Sequence, residues 1–116
     1  MKKEDIEVFN RLLEDDTFKG KQQLKHLLWL NTVKPQFKVG DCFIVTDGGH
    51  SIFGKPVKDF KAKVVKIASF PSQEEWYYHL VIEAEKKGKK IESYVYKYEF
   101  DLKQAERADD NINILG

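Results

Sequence analysis

Few side chains in this chain are able to do chemistry, and their spacing limits what they do. Cys42, His26, His50 and His79 are the nucleophiles and metal ligands available. None forms a C-x-x-C or H-x-x-x-H pair, the spacings at which one turn or one helix face carries two ligands to a single ion. No metal site and no cofactor is expected. A lone cysteine in a strand is inert unless a base or a cation activates it. Cys42 stands in the apolar run Cys42-Phe43-Ile44-Val45, so a buried thiol is expected. The acid pairs Glu74-Glu75 and Asp15-Asp16 have no partner at a spacing that would divide acid from base. Asp47-Gly48-Gly49-His50 shares only its glycines with a phosphate loop, lacking the G-x-x-x-x-G-K-S/T order and opening no helix. No catalytic residue is assigned, and the chain reads as a non-enzyme.

Binding chemistry is better represented. Lysines gather at Lys55, Lys58, Lys61, Lys63 and Lys66, and again at Lys86, Lys87, Lys89 and Lys90. Lysines interleaved with aromatics suit phosphate backbones and stacked bases. They also guard sheet edges against self-pairing. The net charge of +1 divides into −3 over residues 1–16, +7 over 17–97 and −3 over 98–116. That is weaker than the strongly basic balance of a dedicated nucleic-acid binder. All five tyrosines lie between Tyr77 and Tyr98. Tyrosine joins an apolar body to a polar tip and is enriched where surfaces meet partners.

The element that positions these tyrosines is the stretch Trp76–Phe100. Two arms rich in Trp, Tyr, Val and Ile flank Lys86-Lys87-Gly88, which predicts a β-hairpin. A two-residue turn needs positive φ at both central positions, where lysine is poor. A three-residue loop asks this of Gly88 alone and is the expected form. It places Trp76, Tyr78, Leu80 and Ile82 on one face with Tyr94, Tyr96, Tyr98 and Phe100, and Tyr77, His79 and Val81 on the other.

Ahead of the hairpin, Ile6, Phe9, Leu12 and Leu13 fall on one face of a helix over 4–15, with acids in its first turn. Asp15-Asp16 breaks that pattern. A second helix is expected over 21–31, stopped before Pro35. From Phe37 the pattern is β. Cys42–Thr46 forms a strand, Asp47–Pro56 a Gly-rich loop with Ile52 and Phe53 at its tip, and Phe60–Phe70 a strand whose alternation changes phase at Val64-Val65, as at a bulge. Pro71-Ser72-Gln73 turns the chain into the hairpin. Asp101 caps a short helix, and 111–115 is a last short strand. At 116 residues this is a single domain, helical over 1–33 and β-rich over 37–115. Its longest apolar run, Leu27–Leu30, is far short of a membrane span, and Met1-Lys2-Lys3-Glu4-Asp5 is no signal peptide. One cysteine suits a reducing compartment, and a cytoplasmic location is expected.

Phe37-x-Val39-Gly40-Asp41 before a strand, then the Gly-rich loop, the lysine-alternating strand with Val64, Val65 and Ile67, the Tyr-rich hairpin and Tyr98-Glu99-Phe100-Asp101-Leu102 with Ala105 follow one another in a familiar order. In this order, residues 37–115 resemble the small Src-homology-3-like barrels, among them Tudor-like and KOW-like modules. The resemblance implies a small barrel over 37–115; with the two N-terminal helices, which lie outside the pattern, the expected chain is α+β, two helices followed by a five-stranded, strongly bent antiparallel sheet or small SH3-like barrel. It also implies a module that binds proteins or nucleic acids without catalysis. Such modules occur in short phage and mobile-element proteins, so an inhibitor of a bacterial defence system, an anti-CRISPR for example, is an expected role by analogy. A protein partner is expected at Trp76, Tyr78, Tyr94, Tyr96, Tyr98, Ile52 and Phe53. The alternative is a nucleic-acid contact at Lys61, Lys63, Lys66, Lys86, Lys87, Lys89 and Lys90. No membrane contact is expected, and the oligomeric state is open.

Overall fold

The computed structural model describes residues 2–14, 17–70 and 73–115, so the breaks read at Asp15-Asp16 and Pro71-Ser72 lie outside the described residues. Two helices come first: α1 over Lys3–Leu13 and α2 over Phe18–Thr32. The strands follow as β1 (Cys42–Ile52), β2 (Lys55–Phe70), β3 (Gln73–Lys86) and β4 (Lys89–Tyr98), then helix α3 (Glu99–Lys103) and β5 (Asn113–Leu115). The chain divides into two compact units, Met1–Pro35 with Ser69–Glu75, and Gln36–Ala68 with Trp76–Gly116.

In the first unit, Glu4 and Asp5 lie in the first turn of α1 and Arg11 in its last, each matched to the sign of the helix end. Thr17 starts α2 three residues earlier than its apolar pattern suggests. Its hydroxyl accepts a hydrogen bond from the Gly20 amide at 3.0 Å, satisfying a donor that the helix leaves unpaired. Asn31 and Thr32 close the other end by donating to the carbonyls of Leu27 and Leu28, each at 2.8 Å.

In the second unit the strands run in the order β1-β2-β3-β4, with β5 parallel to β3 at its turn end. The architecture is the expected α+β arrangement of two helices and five strands, and the sheet is open rather than closed into a barrel. Two tight turns differ from expectation. The Gly-rich segment is not a loop: β1 runs on to Ile52, and Ile52 pairs with Lys55 across Phe53-Gly54. Its glycines are taken up by register shifts between Val45 and Asp47 and between Asp47 and Ser51. The hairpin closes on a two-residue turn, with Lys86 opposite Lys89 and Lys87 and Gly88 at φ 50° and 78°. Lysine accepts the left-handed conformation here. A strained turn costs little against a ladder that pairs every residue from Tyr77 to Lys86.

That register sorts the side chains onto two faces. Phe43, Val45, Phe60, Ala62 and Val64 join Tyr78, Leu80, Ile82, Ala84 and Val95 in one buried cluster, capped by Leu102 of α3. Val64 is fully buried and Ile67 packs on the same core three positions later, so β2 does change phase between them. The other face carries Cys42, Lys61, Lys63, Val81 and the tyrosine row.

Candidate docking face

The tyrosine row is built by cross-strand pairing. Tyr77 stands opposite Tyr98, His79 opposite Tyr96 and Val81 opposite Tyr94. Because alternate residues share a face, one slip of register would have broken the group apart. Tyr77 stacks on Tyr96 with ring centres 5.8 Å apart and planes 7° from parallel, and meets Tyr98 at 5.0 Å. His79 sets its edge against Tyr96 at 4.7 Å and against Tyr77 at 5.5 Å. Tyr94 and Tyr96 remain 48% and 46% exposed. The rings of Tyr77, His79, Tyr96 and Tyr98 therefore hold one another in place, and Tyr94 beside them donates its hydroxyl to Glu92. Burial, and secondarily the charge of Lys66, lowers the pKa of His79, so the imidazole is neutral at neutral pH. Burial among the rings of Tyr98 and Tyr96 raises the pKa of Tyr77.

Four of the residues expected at the partner site lie elsewhere. Tyr78 points into the core with no exposed surface, donating its hydroxyl to Glu99 Oε1 at 2.8 Å. Trp76 shares its strand face and packs on the core. Ile52 is fully buried, and Phe53 folds back onto the same cluster. Tyr94, Tyr96 and Tyr98 are on the open face, but with Tyr77 and His79 rather than with Trp76. Turn length alone decides whether Tyr94, Tyr96 and Tyr98 share a face with Tyr77 and His79 or with Trp76, and Lys87 pointed to the wrong one.

The lysines divide as well. Lys61 Nζ lies 2.8 Å from Asp109 Oδ1, and Lys63 Nζ lies 3.0 Å from Asp110 Oδ1. Both acids belong to residues 106–115, a strap that starts on the edge of β1, where Ile44 N–H donates to the Glu106 carbonyl and Ala108 N–H to the Cys42 carbonyl. Arg107 lies over the rings of Phe43 and Phe37 and 3.3 Å from Asp41. The strap ends at Asn113, whose side chain takes the backbone N–H and C=O of Lys61 and the C=O of Glu83. Underneath is a space of about 20 Å³ lined by Cys42, Lys61, Lys63, Val81, Asp110 and Ile112, room for one water. Cys42 is buried by this strap, on the face opposite the core cluster. Burial and the nearby Asp110 raise its thiol pKa, so the sulfur stays protonated and unreactive. The acidic C-terminal balance was the one sequence sign of this pairing. Lys66 is exposed beside the aromatic row, Lys86 is half-buried, and Lys87, Lys89 and Lys90 are exposed at the hairpin tip.

Among the described residues no three His, Cys, Asp or Glu side chains gather as a metal site requires, and no helix is long and apolar enough to cross a membrane. No protein-family model matches the chain, and no curated protein or solved structure matches it significantly.

Proposed function

We propose that this chain is a non-enzymatic binding module that docks on a protein partner through Tyr77, His79, Tyr94, Tyr96 and Tyr98. The observation that carries the reading is the exposed, mutually braced aromatic cluster on the sheet face opposite the core. Rigid tyrosines lose little side-chain entropy on binding, and residues of this kind dominate interface energies. Tyr77 and Tyr96 each spend one ring face on the other, which leaves less ring surface for stacked bases and favours packing against protein. A single thiol suits a reducing compartment such as the cytoplasm and supports that location for the module. The phage or anti-CRISPR role rests on chain size and module class and on no residue of this face.

A pull-down from host lysate tests the reading. Wild-type protein retains a partner that the Tyr96→Ala and Tyr98→Ala variants lose, while circular dichroism stays unchanged. Retention by both variants contradicts it.

The nucleic-acid reading keeps one supporting feature, the lysines of the hairpin tip with Lys66. Against it stands the pairing of Lys61 and Lys63 with Asp109 and Asp110. A salt titration separates the two. Tight binding at low salt that falls steeply as salt rises, and that disappears on charge reversal at Lys61, Lys63, Lys87 and Lys89, would displace the protein-docking reading.

A further inference from the structure

Strand β4 lies at the end of the sheet order, and among the described residues its ladder is with β3 alone. The two-residue turn fixes which way its backbone points. Lys86 and Lys89 form the first hydrogen-bonded pair, so alternate pairs back to Tyr78 and Lys97 are hydrogen-bonded as well. The intervening residues, Lys90, Glu92, Tyr94, Tyr96 and Tyr98, therefore aim their N–H and C=O groups away from β3. Lys90, Glu92, Tyr94 and Tyr96, the last two on the outer aromatic face, present this edge.

An edge of this length without proline or a bulge is a template for another strand. From this edge we infer that two copies of the chain pair β4 to β4, antiparallel about a two-fold axis at Tyr94. The charges on the strand select this occupant and this register. With Tyr94 opposite Tyr94 of the second copy, Glu92 faces Tyr96 and Lys90 faces Tyr98, while Ile91 faces Lys97, and no like charges oppose one another. Centring on Glu92 sets two carboxylates together. Centring on Ser93 sets Lys89 against Lys97 twice, a destabilising arrangement. Registers centred on Val95 or Tyr96 pair a shorter part of the strand. The two-fold lies perpendicular to the sheet, so the tyrosine rows of both copies join on one side as a continuous surface. The pairing uses backbone groups and stands whether or not that surface docks a partner.

Hydrogen exchange followed across a protein dilution series tests the inference, with sedimentation velocity on the same samples. The amides of Glu92, Tyr94 and Tyr96 are expected to gain about tenfold or more protection as the dimer forms, while those of Ile91 and Val95, bonded within the hairpin, change little. Glu92→Pro removes an outward donor without touching the β3 ladder, and is expected to leave a folded monomer. Exchange at Glu92, Tyr94 and Tyr96 that is independent of concentration overturns the inference, as does a Glu92→Pro variant that dimerises like the wild type. Protection that appears only when a different protein is added assigns the edge to that protein and also overturns it. Loss of partner capture in Tyr96→Ala bears on the docking face alone, so failure of the two readings is distinguishable.

Discussion

At the scale of single residues, Lys87 and His79 decide the most. Lys87 holds φ 50° in a turn that asks both central residues to be left-handed. Asparagine tolerates that conformation better, so Lys87→Asn is expected to stabilise the protein by up to about 1 kcal/mol in denaturant unfolding. Destabilisation instead would mean that the turn is not the two-residue form. His79 is held neutral by its surroundings, its folded pKa lying below its ordinary value. A histidine with a lowered folded pKa binds protons more readily when unfolded. It contributes stability that is present above its unfolded pKa of about 6.5 and lost as pH falls toward the folded value. His26, also lowered by burial, contributes with the same sign. Wild type should therefore lose stability as pH drops below about 6.5, and His79→Phe should lose measurably less over the same window. Identical pH profiles for the two proteins would remove His79 from this role.

At the scale of elements, the strap over residues 106–115 holds the lysine strand. Asn113 is its anchor, because one side chain bridges the backbone of Lys61 in β2 and of Glu83 in β3. Asn113→Ala leaves part-buried backbone groups of Lys61 and Glu83 without this partner and is expected to cost about 1 kcal/mol, measured by chemical denaturation. The same variant should raise the reactivity of Cys42 toward a thiol reagent, since the strap is what covers it. An unreactive Cys42 in that variant would show that its burial does not depend on the strap. The helices, the hairpin and the terminal strand were legible in the sequence, because each is marked by local spacing, and the second helix and the hairpin also by Pro35 and Gly88. The Gly48-Gly49 segment misled, since glycine marks irregular strand as readily as loop. The role of Asp109 and Asp110 was out of reach, because no local pattern places a tail across a distant strand.

At the scale of the whole chain, the fold class was readable, while the choice between barrel and open sheet was not. Closure depends on how far the strands curl and on which edges meet, and alternation of side chains is the same in both. The site followed the hairpin register. Tyr94, Tyr96 and Tyr98 were recognised as a unit, but the partner strand supplied Tyr77 and His79 instead of Trp76 and Tyr78, because a single residue of turn length exchanges the two faces. What the molecule then presents is a sheet with one face buried in its core. On the other face, the strap pairs with Lys61 and Lys63 and leaves Tyr94 and Tyr96 exposed. The most direct test is the affinity of the captured partner, by calorimetry, for two folded variants. Tyr77→Ala with Tyr96→Ala is expected to weaken binding by about 2 kcal/mol or more, roughly thirtyfold, and Lys87→Glu with Lys89→Glu by far less. Undiminished binding by the tyrosine variant, with loss in the lysine variant, would contradict the account.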